Sequence, residues 1–188
     1  DAVKIPMVSS QETIKVIADK VREYEAKNIV IDPVMVATSG SALMVEGAGK
    51  ALVEELFPLG TVLTPNIPEA EALSQTKIRN RQDMEEAARI ISSFTGGAVL
   101  VKGGHLSESA DDLLYEQGKS IWLPGERVDN SNTHGTGCTL SSAIACGLAG
   151  GKSLEDSVKG AKDYITGALK AGLDLGKGSG PLNHMYAL

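Results

Sequence analysis

With 188 residues, 42% hydrophobic and 22% charged, the chain suits one soluble globular domain and not a disordered one. A net charge of -6 argues against non-specific nucleic-acid binding but leaves room for a local basic pocket that takes a phosphate ligand. No apolar run is long enough to span a membrane, no secretory signal is visible, and no linker or repeat marks a second domain.

Ala2 to Ile5 opens the chain as a strand-like run directly after Asp1. A start inside an element, on Asp and not Met, leads to the expectation that residues are missing upstream. Ser9-x-x-Glu12 matches a capping box, and Ile14, Ile17, Ala18, Val21 and Tyr24 follow at helical spacing. Asn28 to Asp32 reads as a short buried strand ending on an aspartate. A helix is expected over 45–56 and a strand over 61–64, stopped by Pro65. Pro68 to Leu73 can open a helix, because proline is tolerated in a first turn. Asn80 and Asp83 cap a clearer helix carrying Met84, Ala87, Ala88, Ile91 and Phe94. Ala98 to Val101 is a third buried-type strand, running into Lys102-Gly103-Gly104-His105. A hairpin over 112–116 and 119–123 turns at Gln117-Gly118, with Trp122 packing on it. Helices close the chain over 136–149 and 153–171, the second with the stripe Leu154, Val158, Ala161, Ile165 and Leu169.

Strands alternating with helices imply an α/β fold whose mostly parallel sheet is covered on both faces. Ligands bind such sheets at the carboxyl ends of the strands. Asp32, Asn66 with Glu69, and Lys102 follow three successive strands and so converge there. Asp32, Asn66 and Glu69 supply the oxygen ligands that Mg²⁺ shares with waters and nucleotide phosphates. A turn aspartate before Pro33 and a first-turn glutamate favoured by the helix dipole are the plainer readings. Lys102 suits phosphate charge, or snorkels at the surface.

The stretch Asn132-Thr133-His134-Gly135-Thr136-Gly137-Cys138-Thr139-Leu140 sets two glycines and small hydroxyl residues ahead of an apolar helix. Backbone N–H groups at a helix start lack intrahelical partners, and the dipole adds positive potential. Gly135 and Gly137 let a phosphate approach that backbone. Cys138, in the first turn, is a candidate base or nucleophile; an ordinary glycine turn before a buried helix is the alternative. Cys146 reads as a small core residue. On one predicted helix the two cysteines are about 12 Å apart, too far for a disulfide. Two free thiols suit a reducing cytoplasm, and no zinc spacing is present.

Taken in order, Asp1 to Ile5, Val30 to Val36, Leu63 to Glu71, Val101 to His105 and Asn132 to Thr139 resemble the ribokinase-like superfamily. Within it the likeness is to the hydroxymethylpyrimidine/phosphomethylpyrimidine kinases of thiamin biosynthesis. The resemblance implies a ribokinase-like three-layer sandwich, with residues 1–188 forming the C-terminal two-thirds to three-quarters of the usual fold. It implies phosphorylation of 4-amino-5-hydroxymethyl-2-methylpyrimidine by Mg-ATP, and then of its monophosphate. By resemblance Gly135, Thr136 and Gly137 form an anion hole and Cys138 takes the place of the aspartate base of ribokinase itself. Asn66 and Glu69 match an Asn-x-x-Glu element that organises Mg²⁺, with Asp32 beside the metal. Lys102, Thr133, His134 and Asn66 are expected to meet ATP, and Met7 and Val34 to border the pyrimidine. Members of the family commonly pair as homodimers, which is one expectation here.

Two departures qualify the likeness. The Gly/Ser-rich opening segment of the family has no counterpart, and Pro6 stands where glycine is expected, fixing φ and removing an N–H donor. A pyridoxal kinase of the same cysteine-containing type and a non-catalytic nucleotide-binding remnant are the competing readings. A dinucleotide-binding domain lacks its GxGxxG after the first strand.

Overall fold

The computed structural model describes residues 1–35, 47–104, 110–126, 128, 130, 135–173, 175 and 180–187. Short, mostly β-branched and apolar runs form the parallel strands, with Lys4 in the first the one charged residue; the next three are buried on both faces. They are β1 (Val3–Ile5), β2 (Ile29–Ile31), β3 (Val62–Leu63) and β4 (Ala98–Val101). Two further strands, β5 (Asp112–Glu116) and β6 (Lys119–Leu123), complete a six-stranded sheet in the order β1-β2-β3-β4-β5-β6. The first four are parallel, in registers such as Val30 opposite Val62 and Val62 opposite Ala98; β5 and β6 are antiparallel. The hairpin turns where expected: Gln117 and Gly118 both have positive φ, 50° and 80°, as a primed two-residue turn requires.

Among the described residues six α-helices cover the sheet. These are α1 (Gln11–Glu23), α2 (Ala48–Ala51), α3 (Ile67–Ser74), α4 (Arg81–Ser92), α5 (Thr136–Ala149) and α6 (Leu154–Lys170), with α2 running on through a wider π-helical turn, Leu52–Leu56, and a closing 3-10 turn, Phe57–Leu59. Parallel neighbours in sequence order need right-handed crossovers, which put α1 to α4 on one face and leave the other to α5 and α6. The side-chain alternation agrees. Ile5, Ile31, Leu63, Val99 and Leu113 pack under the first group, whereas Val30, Val62, Leu100 and Leu114 pack with Leu140, Ile144 and Val158 of the second. The result is the three-layer α/β arrangement expected from the sequence.

Three local expectations are corrected. The cap of α1 is Ser10, not Ser9. Ser10 is extended (φ -118°, ψ 146°) and its Oγ accepts from the Thr13 N–H, the frame that buries Ile14, Ala18 and Val21 and leaves Tyr24 exposed at the end. The helix expected over 45–56 begins at Ala48 among the described residues and does not stay α-helical, ending in a turn that contains Pro58, which has no N–H to donate. Cys146 is exposed, because the buried stripe of α5 runs through Leu140, Ser141, Ile144, Ala145 and Leu148.

Close packing of α5 on α6 depends on Gly147. A Cβ there would lie 2.7 Å from Ser157 Oγ and 3.0 Å from Ser157 Cα. Trp122 is tied to α4: its Nε1–H donates to Glu85 (2.9 Å), and the Arg81 guanidinium lies 4.6 Å over its ring. Among the described residues no helix is long and apolar enough to cross a membrane.

Candidate active site

The carboxyl ends of β2, β3 and β4 lie side by side, so the residues that follow them meet. Asn66 bridges Lys102 in parallel fashion beyond the strands proper, and the Lys102 N–H donates to the Pro65 carbonyl at 2.9 Å. Asp32 is 2% exposed. Its Oδ1 accepts from Lys102 Nζ at 3.0 Å and from Thr64 Oγ1 at 3.2 Å; its Oδ2 accepts from Ser141 Oγ at 3.3 Å. A carboxylate taken out of water is costly unless paired and hydrogen-bonded, and here an ammonium and two hydroxyls meet it. The Asp32 carbonyl does accept the Val34 N–H across Pro33 at 2.8 Å, as a turn residue would, but its carboxylate is paired within the site. Lys102 does not snorkel: its side chain is only 15% exposed.

Glu69 does two things. It closes a capping box with Asn66: the Asn66 N–H donates to Glu69 Oε2 and the Glu69 N–H to Asn66 Oδ1, both at 2.8 Å. The plainer reading of Glu69 as a helix-start residue is thus met, and the box is one that the sequence reading placed elsewhere. Burial, the largest influence, also pushes its pKa above the ordinary glutamate range. Lys102 and backbone bonds to Asn66 and Met35 oppose that rise, and the Asp32 charge adds to it.

The start of α5 comes to the same edge. Gly135 holds a left-handed conformation (φ 81°) and gives no side-chain cap. Thr136 is the first helical residue. A Cβ on Gly137 would stand 3.3 Å from Lys102 Nζ, so the ammonium lies against the backbone of the first turn. One turn on, Ser141 reaches back to Asp32, its single hydroxyl proton shared with the Gly137 and Cys138 carbonyls, each at 3.1 Å. Helix start and ammonium together favour an anion.

Asp32, Asn66, Glu69, Lys102 and Gly137 are thus brought together. Cys138 follows directly but is exposed, lining an open groove of about 640 Å³ between α5 and α6 together with Ser142, Cys146, Lys152 and Tyr164. Met7 and Val34 lie at the same sheet edge, after β1 and β2; neither side chain enters the Asp32 network. Thr133 and His134 lie outside the described residues. Sequence reasoning missed Thr64 and Ser141. Their only signal was position: Thr64 directly ends β3, and Ser141 lies one turn after Gly137.

Among the described residues no group of three or more His, Cys, Asp or Glu side chains could enclose a metal. Two carboxylates close enough for one to raise the other's pKa do suit Mg²⁺, which keeps waters and takes further oxygens from phosphates.

A mostly parallel sheet, with the start of α5 meeting a buried lysine and two carboxylates at its carboxyl edge, is an α/β arrangement of the ribokinase-like phosphotransferase class. The sequence model of the family described as phosphomethylpyrimidine kinase matches residues 1–183, and the chain belongs to that family. It is 43% identical to the hydroxymethylpyrimidine/phosphomethylpyrimidine kinase of Streptomyces coelicolor over 187 residues, which covers 100% of this chain and 69% of the relative. The crystal structure of phosphomethylpyrimidine kinase from Clostridium difficile superposes with a TM-score of 0.77 at 41% identity, covering 88% of this chain and 67% of that one. The ADP complex of Bacillus subtilis pyridoxal kinase superposes at 0.89 with 37% identity, over 97% and 70% of the two chains.

Proposed function

We propose that the chain phosphorylates the hydroxymethyl group of 4-amino-5-hydroxymethyl-2-methylpyrimidine from ATP, and then the resulting monophosphate to the diphosphate, in thiamin biosynthesis. The observation that carries this reading is the Lys102 ammonium, held by buried Asp32 against the backbone of Gly137 at the start of α5. There it can neutralise charge on a migrating phosphoryl group, and phosphoryl transfer asks mainly for such positioning and neutralisation.

Gly135, Thr136 and Gly137 supply the anion hole, with Thr133, His134 and Asn66 as further contacts to ATP. Cys138 accepts the proton of the substrate hydroxyl as its oxygen bonds to the γ-phosphorus and the bond to the ADP oxygen breaks. Its exposure beside Gly137 supports that role. Asp32 and Glu69 would hold Mg²⁺, which when bound neutralises phosphate charge. Met7 and Val34 border the pyrimidine. Residues 1–188 act as one kinase domain, a reading supported by the continuous sheet that the described residues form, with a core on each face. A cytoplasmic homodimer belongs to the same proposal; the two exposed free thiols support the reducing setting.

Pyridoxal, which also offers a primary hydroxymethyl on a ring, is the second substrate to weigh, because the superposition on a pyridoxal kinase has the higher TM-score of the two. Steady-state kcat/KM on both acceptors decides. The pyrimidine is expected to be the better substrate; a clear preference for pyridoxal would overturn the assignment, and ATP binding without any product would point to a nucleotide-binding remnant.

A further inference from the structure

Outside the Asp32 network the molecule holds a second buried ion pair. Asp112, the first residue of β5, is 6% exposed. Its Oδ2 meets Lys162 Nζ of α6 at 2.5 Å, and its Oδ1 accepts the Gly103 N–H at 2.8 Å. Gly103 directly follows Lys102. Its backbone packs closely on the residue before β5, since a Cβ there would overlap the Asp111 carbonyl oxygen at 1.8 Å. Lys162 is itself 15% exposed in its side chain and sits on the helix that covers the far face of the sheet.

A buried ion pair is poor evidence of stabilisation, because the desolvation of two charges offsets their attraction. What this pair does offer is direction. Lys162 fixes the Asp112 carboxylate, the carboxylate fixes the Gly103 amide, and that amide fixes the peptide carrying the Lys102 carbonyl. On the other side of Lys102, its own N–H is held by the Pro65 carbonyl at 2.9 Å. The backbone of Lys102 is therefore clamped at both ends, and its side chain leaves from a fixed Cα toward Asp32 and Gly137.

We propose that Asp112 is a positioning residue for phosphate binding, oriented by Lys162 and acting through the Gly103 N–H on Lys102. The inference rests on the kinase reading above and extends it to two residues that touch neither nucleotide nor acceptor.

Three variants separate this role from a structural one. D112A removes the acceptor of the Gly103 N–H, D112N leaves one oxygen for which the Gly103 N–H and the Lys162 ammonium compete, and D112N/K162M frees that oxygen for the Gly103 N–H while removing both charges. D112A is expected to raise the KM for ATP about ten-fold, with the KM for the acceptor unchanged and the Gly103 amide exchanging faster with deuterium. D112N/K162M, whose amide can turn its oxygen to the Gly103 N–H with no ammonium competing for it, is expected to bring both readouts back toward wild type, and D112N alone less so, because its one oxygen cannot meet both the Gly103 N–H and Lys162. An ATP KM for D112A equal to wild type would overturn the clamp, as would D112N/K162M impaired as badly as D112A. A wild-type chain that neither binds nor uses ATP would overturn the kinase reading and this inference together, whereas a wild-type chain active on ATP with an equally active D112A would remove the inference alone.

Discussion

Lys102 and Asp32 stand 70 residues apart in sequence and form an ion pair at 3.0 Å, with 15% and 1% of their side chains exposed. The pair exists because β2 and β4 both end at the same edge of a parallel sheet, with β3 between them. It joins the acidic side of the candidate site to the anion side at α5, through Ser141 as well as through the lysine itself.

Removing one partner of that pair should be expensive. Asp32→Ala leaves the Lys102 ammonium without its carboxylate and is expected to cost about 3–5 kcal/mol of stability. Denaturant titration of the two proteins measures it. A midpoint equal to wild type would mean that water or another group already satisfies Lys102.

Gly137→Ala separates binding from folding. Alanine is the better helix former by about 1 kcal/mol, and the group it would crowd is the far end of the Lys102 side chain, 3.3 Å away, not backbone. Stability should hold or rise slightly while ATP affinity drops. Isothermal titration with ATP reads the second effect; unaltered affinity would place the phosphates elsewhere.

Glu69 gives a pH signature. Its carboxyl binds a proton more tightly in the folded protein than in the unfolded chain, chiefly because it is buried. On its account stability therefore falls as pH rises from the ordinary glutamate value through the raised one, and stays low above it. Glu69→Gln keeps an oxygen for the Asn66 N–H and loses the titration. The stability of wild type relative to this variant, measured in a chelator, should decline from acid toward neutral pH. A difference that stays flat, or grows with pH, would contradict the burial argument.

The two thiols should part company in kinetics. Cys138→Ala is expected to lower turnover by about 10²–10⁴ with ATP affinity close to wild type, the effect of losing a general base. Cys146→Ala, eight residues along the same exposed side of α5, should change neither. Equal behaviour of the two variants would remove Cys138 from the chemistry.

Much of this architecture was legible in the sequence, for identifiable reasons. Ile29-Val30-Ile31 and Ala98-Val99-Leu100-Val101 are short β-branched runs with polar punctuation, which only buried strands explain, and Gln117-Gly118 set the hairpin register. Convergence of Asp32, Asn66, Glu69 and Lys102 followed from strand order alone. What failed was finer. Ser9 and Ser10 both offer a hydroxyl three residues before a plausible N3 position, and only the burial of Ile14 and Val21 selects Ser10. Cys146 looked like core because a thiol carries no polarity signal, yet its phase on α5 puts it outside. Thr64 and Ser141 could not be singled out, since a hydroxyl donor to a distant carboxylate has no local pattern.

The most direct test of the account is ATP-dependent phosphorylation of hydroxymethylpyrimidine by the 188-residue chain, with mono- and diphosphate products detected by mass, run beside Lys102→Ala and Cys138→Ala. The account predicts both products from wild type and a severe loss in each variant. Full product formation by either variant, or ATP bound by wild type with no phosphorylated pyrimidine formed, would contradict it.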